Sequence, residues 1–143
     1  MSVIKLNPSL AFDGNARSAI RLYEEALGAT TENLMLFRDA PPPMGNATSP
    51  GHADRVLFAL LRIGAGELMV MDTPPGVRVA TDGNVQVSIE VDGVEDLARK
   101  FDALVRGGAV TMPLHDAFWG ARFGMLTDTF GVRWMLSCAL AGA

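Results

Sequence analysis

The chain has 143 residues, a formal net charge of −4 and one cysteine, Cys138, so a single domain fits and an internal disulfide is excluded. The acidic balance, without a run of Lys or Arg, argues against nucleic acid and anionic membrane surfaces as partners. The first residues lack the pattern of a secretory leader and the apolar run 56–61 is too short to span a bilayer, so we expect a cytoplasmic protein.

The first half of the chain is predicted to begin with a strand, a turn and a helix. A strand at residues 7–12 leads through an Asp-Gly turn into a helix. The apolar residues of this helix recur at helical spacing: Ala16, Ala19, Ile20, Tyr23 and Leu27. Gly28 suits the left-handed position that ends a helix. Further strands are predicted near 31–37, 56–63 and 67–71.

Residues 39–54 lie between the second and third predicted strands. They contain several prolines and glycines, which cannot sustain a helix or a central strand. Connections of this length are often lids or binding loops. We therefore predict that residues 39–54 form a mobile flap.

The second half of the chain repeats the order of the first. A shift of 79 residues aligns residues 7–14 with 86–93, and a shift of 65 aligns the later strands. The second predicted helix has apolar residues at Val94, Leu97, Ala98, Phe101 and Leu104, and Gly107 is expected to end it. Three strands follow, at 109–114, 122–127 and 132–138. Each half therefore has the order βαβββ.

Three segments resemble the PhnB-like branch of the vicinal oxygen chelate superfamily, which includes glyoxalases, bleomycin-resistance proteins and extradiol dioxygenases. They are NPSLAFDGNA at 7–16, IGAGELM at 63–69 and FWGARFGMLTDTFGVRW at 118–134. The resemblance implies an α+β fold in one domain, 1–143, with two pseudo-symmetric βαβββ modules at about 3–75 and 84–140. Their curved antiparallel or mixed sheets would surround a cleft. It also implies a homodimer, because proteins with this fold commonly pair.

Strand alternation assigns side chains to the helix or to the implied cleft. In the fifth strand the residues expected on the cleft face are Asn84, Gln86, Ser88 and Glu90, and in the first strand they are Lys5, Asn7, Ser9 and Ala11. Leu6 and Val85 are expected to face the helices. A merely solvated polar face is the alternative. Glu90 is a candidate general base if it is desolvated, or a hydrated residue at the rim.

The segment 118–134 contains candidates for both architecture and binding. Trp134, Leu136 and Cys138 are expected to face the helix, with Met135 on the opposite side, and Asp128 belongs to the hairpin turn. Trp119 and Arg122 could form an apolar wall and a fork for a carboxylate or phosphate. The alternative for Arg122 is a structural ion pair with Asp128 across the hairpin.

The resemblance also implies where a metal would bind, since metal-bound members place ligands on their first, fourth, fifth and eighth strands. Counting from the Asp-Gly turns and from the glycines of the last hairpins gives Asn7, Val70, Gln86 and Met135. No member of this quartet is anionic, so we predict that the metal is absent. A slip of two residues would bring in Ser9, Ser88 or Glu90. His52 and His115 do not form a metal cluster and are expected to be surface histidines.

Three functions remain open from the sequence. The first is a metal-independent cleft that binds a small organic ligand, with or without a reaction. The second is a metal-dependent isomerase, lyase or dioxygenase of the glyoxalase type, and the third is a protein that sequesters a toxic ligand. No cofactor is expected, because the turn Gly64-Ala65-Gly66 joins two strands and does not open a helix.

Overall fold

The computed structural model describes residues 2–41, 51–74 and 76–141. The chain divides into two compact units, Met1–Val79 and Ala80–Ala143. Unit 1 contains β1 (Ser9–Phe12), α1 (Ala16–Leu27), β2 (Thr30–Leu36), a short 3-10 helix (Phe37–Asp39), β3 (Val56–Ile63) and β4 (Gly66–Asp72). Unit 2 contains β5 (Val87–Glu90), α2 (Val94–Leu104), β6 (Ala109–Asp116), β7 (Ala121–Thr127) and β8 (Arg133–Ala139).

Each unit forms one four-stranded mixed sheet with one helix. The strand orders are β1-β4-β3-β2 in sheet 1 and β5-β8-β7-β6 in sheet 2. The first strand of each unit pairs in parallel with the last, and the other neighbours are antiparallel. This arrangement confirms the predicted α+β fold with two βαβββ modules.

The helices pack through the apolar stripes that their spacing predicts. The α1 residues Ala16, Ala19, Ile20, Tyr23 and Leu27 are all buried, and Gly28 ends the helix with φ of 70°. In α2 only part of the predicted stripe is covered, because Val94 and Ala98 are exposed. The expected role of Gly107 is also wrong: α2 ends at Leu104 and Val105 is its cap.

Residues Gly107 and Gly108 instead connect α2 to β6 beside the β7–β8 turn. A side chain at Gly108 would overlap the carbonyl oxygen of Thr127 and would lie 2.9 Å from the carbonyl carbon of Asp128. Only a residue without Cβ allows these two backbones to approach so closely. The Gly-Gly pair therefore serves close packing of the chain.

The two ends of the 39–54 loop are joined to each other by backbone hydrogen bonds. The Phe37 N–H donates to the Arg55 carbonyl at 3.0 Å, and the Arg38 N–H donates to the Ala53 carbonyl at 3.1 Å. His52 is 8% exposed, with its ring centroid 4.6 Å from that of Phe37, so the prediction of a surface histidine is wrong there. The predicted flap falls largely on residues 42–50, which lie outside the described residues.

A buried carboxylate joins the start of α1 to two strands of sheet 1. Asp72 Oδ1 accepts from the N–H groups of Gly14 and Ala16 at 2.9 and 3.0 Å, and Oδ2 accepts from Val56 N–H at 2.9 Å. Asn15 at the N-cap makes no side-chain cap bond, so Asp72 satisfies the first turn of the helix from a distant strand.

The residues before β1 and β5 depart from the predicted packing. Leu6 and Val85 are 92% and 74% exposed, although alternation assigned them to the helix-facing side. The reason is that the sheets begin only at Ser9 and Val87, so both residues precede the paired strands. Within the described residues, no helix is both long enough and apolar enough to span a membrane.

Candidate functional site

Each sheet has one side packed on its helix and an opposite side, which we call its open face. In sheet 2 the helix-facing residues of β8 are Trp134, Leu136 and Cys138, all buried as predicted. The alternate residues of β8 lie on the open face and are half-buried: Arg133, Met135 and Ser137. The binding residues predicted in sheet 2 must lie on this open face if they are to contact a ligand.

Strand register arranges the open face of sheet 2 in two rows across the strands. The polar row contains His115, Phe123, Ser137 and Glu90, which are successive cross-strand partners. The methionine row contains Met112, Met125, Met135 and Ser88, paired in the same way. Irregularities in β6 on both sides of Met112 explain how residues 112 and 115 reach the same face. Two of the predicted residues in strand β5 and one in β8 thus share this face.

Aromatic rings extend the polar row toward the β6–β7 turn. The Trp119 ring lies edge-to-face on Phe123 with a centroid distance of 5.4 Å, and the His115 ring lies 6.2 Å from Phe123. Trp119 remains 57% exposed, and the neighbouring Phe118 is 97% exposed. Trp119 therefore offers a free aromatic surface next to the open face.

His115 is exposed, as expected for a surface histidine, yet it belongs to this face. Its Nδ1 lies 2.9 Å from the carbonyl oxygen of Pro113, which can only accept a hydrogen bond. When the imidazole is neutral, the proton is therefore on Nδ1 and the lone pair is on Nε2. Strand alternation alone does not reveal this position, because the irregular register of β6 hides the side of the strand on which His115 lies.

Glu90 lies on the edge strand β5 and is exposed, as is Ser88. No described residue forms a hydrogen bond or ion pair with its carboxylate. An exposed carboxylate keeps its hydration. Of the two alternatives for Glu90, the geometry of the described chain therefore favours the hydrated residue at the rim.

Arg122 lies on the other side of β7, opposite Cys138 of β8 and Asp116 of β6. Its Nε donates to Asp116 Oδ1 at 2.7 Å, so the alternative of an ion pair with Asp128 is wrong. The hydrogen bond from Arg122 lowers the pKa of Asp116, and the same contact raises that of the guanidinium. Arg122 is thus held in a surface ion pair with Asp116, so the pair with Asp128 is not formed and the predicted fork for a ligand does not lie on the open face.

Asp128 is occupied by the hairpin turn itself. Its Oδ1 accepts from Phe130 N–H and Val132 N–H at 2.9 and 3.0 Å, and its Oδ2 accepts from Trp134 Nε1 at 2.9 Å. Asp128 and Trp134 are 3% and 0% exposed. The C-terminal half of the segment 118–134 is therefore hairpin architecture, whereas its first tryptophan is free for contacts.

The open face of sheet 1 shows that the Val70 assignment is wrong by one residue. Val70 is fully buried on the helix-facing side, between the buried residues Leu68 and Asp72. Met69 pairs with Ser9 as Met135 pairs with Ser88, so Met69 is the counterpart of Met135. The β7–β8 turn is longer than the β3–β4 turn. The same count from Gly66 in unit 1 and from Gly131 in unit 2 therefore ends on opposite faces of the two sheets.

A charged cluster that the sequence analysis missed lies at one end of this face. The Glu67 side chain is only 10% exposed and forms ion pairs with Lys5 and Arg62. Arg62 also donates to Glu32 at 3.0 Å. Correct alternation in β4 would have revealed Glu67, which lies on the same side as Met69. The cluster is internally neutralised and leaves no uncompensated charge.

The residues at the positions where the resemblance implies metal ligands do not fit a divalent cation. With Met69 in place of Val70, the quartet consists of two neutral amides, Asn7 and Gln86, and two thioethers, Met69 and Met135. Hard cations require anionic or multiple oxygen ligands, and zinc sites use thiolate, imidazole or carboxylate. Across residues 2–41, 51–74 and 76–141, no group of three or more His, Cys, Asp or Glu side chains could hold a metal ion.

The family of the chain follows from comparison with known proteins. A family model described as Glyoxalase/Bleomycin resistance protein/Dioxygenase superfamily matches residues 5–136. The chain therefore belongs to this superfamily. Its membership and fold support a protein that binds small molecules in a cleft.

Individual relatives agree with the PhnB-like resemblance. The chain is 31% identical over 140 residues to Protein YjdN of Escherichia coli (strain K12), covering 92% of this chain and 93% of that protein. Protein PA1353 from Pseudomonas aeruginosa has a similar structure, with a TM-score of 0.84, 38% identity and coverage of 96% and 99%. A PhnB protein from Bacillus cereus shares the fold, with a TM-score of 0.78, 23% identity and coverage of 94% and 99%.

Proposed function

We propose that this protein binds a small organic ligand on the open face of sheet 2 and does so without the superfamily metal. The observation that carries the proposal is the composition of this face. Three methionines and Phe123 supply a polarisable apolar surface beside the exposed ring of Trp119, and one row of polar groups borders it. Apolar walls with a few oriented polar groups are the usual form of small-molecule sites.

The residues proposed to contact ligand on this face include those predicted from the sequence and those added by the structure. They are Ser88, Glu90, Trp119 and Met135, with His115, Phe123, Met125 and Ser137. Gln86 precedes β5 and is proposed as a rim contact. On sheet 1, Asn7, Ser9 and Met69 are proposed to contact small organic molecules. Val70 and Arg122 are left out because they lie on the helix-facing sides.

Chemistry on the bound ligand is a separate question from binding. We propose that Glu90 would accept a proton from a ligand only when the bound ligand removes its exposed carboxylate from water and so raises its basicity. A sequestering protein would bind the same ligand and release it unchanged. Incubation of the protein with bound ligands, followed by product analysis, separates an enzyme from a sequestering protein.

Ligand binding on this face is expected to change the NMR signals of specific methionines. With carbon-13 in the methionine methyl groups, titration with 2-naphthol should shift Met125 and Met135, which lie in the methionine row. Trp119→Ala should weaken binding about 2- to 13-fold, because a stacked ring contributes about 0.5–1.5 kcal/mol.

Phe118→Ala is the matched control for this experiment. Phe118 lies at the same turn and contacts Trp119, with a centroid distance of 5.1 Å, but it is 97% exposed. Affinity for 2-naphthol should therefore change less than about twofold. Methyl shifts confined to methionines outside the open faces, or no binding at all, would reject the proposed site.

We also propose a homodimer, supported by the apolar segment before β1. Val3, Ile4 and Leu6 are 84%, 97% and 92% exposed, and β1 is an edge strand of sheet 1. Exposed apolar side chains beside an open sheet edge are typical of surfaces covered by a partner. Sedimentation at micromolar concentration should give a dimer that Ile4→Ser with Leu6→Ser dissociates. A monomeric wild-type protein would contradict the proposal.

A further inference from the structure

The polar row of sheet 2 is rich in hydrogen-bond acceptors. His115 presents the lone pair of Nε2, since its Nδ1 is used by the Pro113 carbonyl, and Glu90 presents a carboxylate. Ser137, between them, can donate or accept. These exposed acceptors favour ligands that bring donors, because a ligand that covers an acceptor without supplying a donor removes it from water at a cost.

The arginines near the polar row do not supply the positive charge that an anionic ligand would need there. Arg122 on β7 is bound by Asp116 of β6, and this ion pair lies on the opposite side of the sheet from Phe123. Arg133 is on the open face, but it is four residues from Ser137 along β8, roughly 13 Å at the rise of a strand. An anionic group placed at His115 would therefore meet the Nε2 lone pair, and neither of these two arginines of unit 2 would balance its charge.

We infer that the polar row selects ligands with a planar apolar body and a hydroxyl donor, which hydrogen-bonds to His115 Nε2, and discriminates against carboxylates. The inference rests on the proposed binding function and specifies its ligand class. The planar body would stack on Trp119 and Phe123, since the Phe123 ring contacts both Trp119 and His115. A phenol is the simplest molecule with both features.

Three naphthalene probes that differ in one substituent test this selection at about pH 8. They are 2-naphthol, 2-methoxynaphthalene and 2-naphthoate. Wild-type protein should bind 2-naphthol about 3- to 10-fold more tightly than 2-methoxynaphthalene, the range of one neutral hydrogen bond. It should bind 2-naphthoate most weakly of the three.

His115→Phe keeps a ring against Phe123 but removes Nε2. In this variant, the preference for 2-naphthol over 2-methoxynaphthalene should fall to less than about twofold, while 2-methoxynaphthalene still binds. Met35→Leu is the matched control, because Met35 pairs with Phe58 in sheet 1 as His115 pairs with Phe123 in sheet 2. The control should keep the full preference.

The outcomes separate this inference from the proposed function. If none of the probes binds, the proposed site itself fails, and the inference fails with it. If the probes bind but the naphthoate equals or exceeds the naphthol, or His115→Phe keeps the preference, ligand binding stands and the donor selection is wrong. Nitrogen-15 NMR of the histidine ring adds a test that needs no ligand. A neutral His115 with its proton on Nε2 would overturn the inference.

Discussion

Replacement of Asp72 by alanine is expected to lower the free energy of unfolding by roughly 3–5 kcal/mol. The carboxylate is 1% exposed and accepts three backbone hydrogen bonds, from Gly14, Ala16 and Val56. Alanine would leave these donors without a partner at the start of α1 and β3. An orphaned donor costs its desolvation, about 1–3 kcal/mol each, and the three losses are not fully additive.

Denaturant unfolding of matched variants measures this effect. Asp72→Asn keeps one acceptor oxygen and should be intermediate, since its amide nitrogen faces another donor. Asp13→Ala is the control, because Asp13 lies in the adjacent turn and is 59% exposed in its ion pair with Arg55. It should change the midpoint little. Equal losses from Asp13→Ala and Asp72→Ala would show that the buried carboxylate does not organise this unit.

The second large effect is expected at Asp128, where alanine should cost roughly 2–4 kcal/mol. Its carboxylate accepts from Phe130 N–H, Val132 N–H and the buried Trp134 Nε1–H. Removing it would leave the indole N–H without this acceptor inside the core of unit 2. The β7–β8 turn would also lose the two bonds that its backbone makes to this carboxylate.

A double-mutant cycle with Trp134→Phe isolates the indole contact. Phe keeps an aromatic ring but lacks the N–H, so Asp128→Ala should cost about 1 kcal/mol less in the Phe background. Asp116→Ala is the control, since its exposed ion pair with Arg122 is distant from the Trp134 ring in the strand register. Perfect additivity of Asp128→Ala and Trp134→Phe would contradict the assigned bond.

The fold was largely predictable because its signals are local or repeated. Helical spacing identified the buried stripe of α1, and the left-handed Gly28 marked its end. The β3 bounds, Val56–Ile63, follow from one apolar run between turn residues. The repeat then supplied the order of the second unit from the first. These features depend on short-range periodicity, which the sequence displays directly.

The candidate site was less predictable because face assignments depend on turn length and register. The β3–β4 and β7–β8 turns differ in length, so the same count from their glycines ended on the buried Val70 in unit 1. The open-face residue at that position is Met69. Irregular pairing in β6 concealed His115. Arg122 pairs with Asp116, directly opposite on β6, since Asp128 is already held by the turn and Trp134. Such partner choices are set by long-range geometry.

Metal analysis tests the central claim, a metal-independent site for an organic ligand, most directly. Elemental analysis of the purified protein, followed by titration with zinc, nickel and iron, should find far less than one tightly held metal per chain. The reason is that the quartet Asn7, Met69, Gln86 and Met135 contains no anionic ligand. One metal held tightly per chain and lost in the Asn7→Ala and Gln86→Ala variants would contradict the account and favour a metal-dependent enzyme of the glyoxalase type.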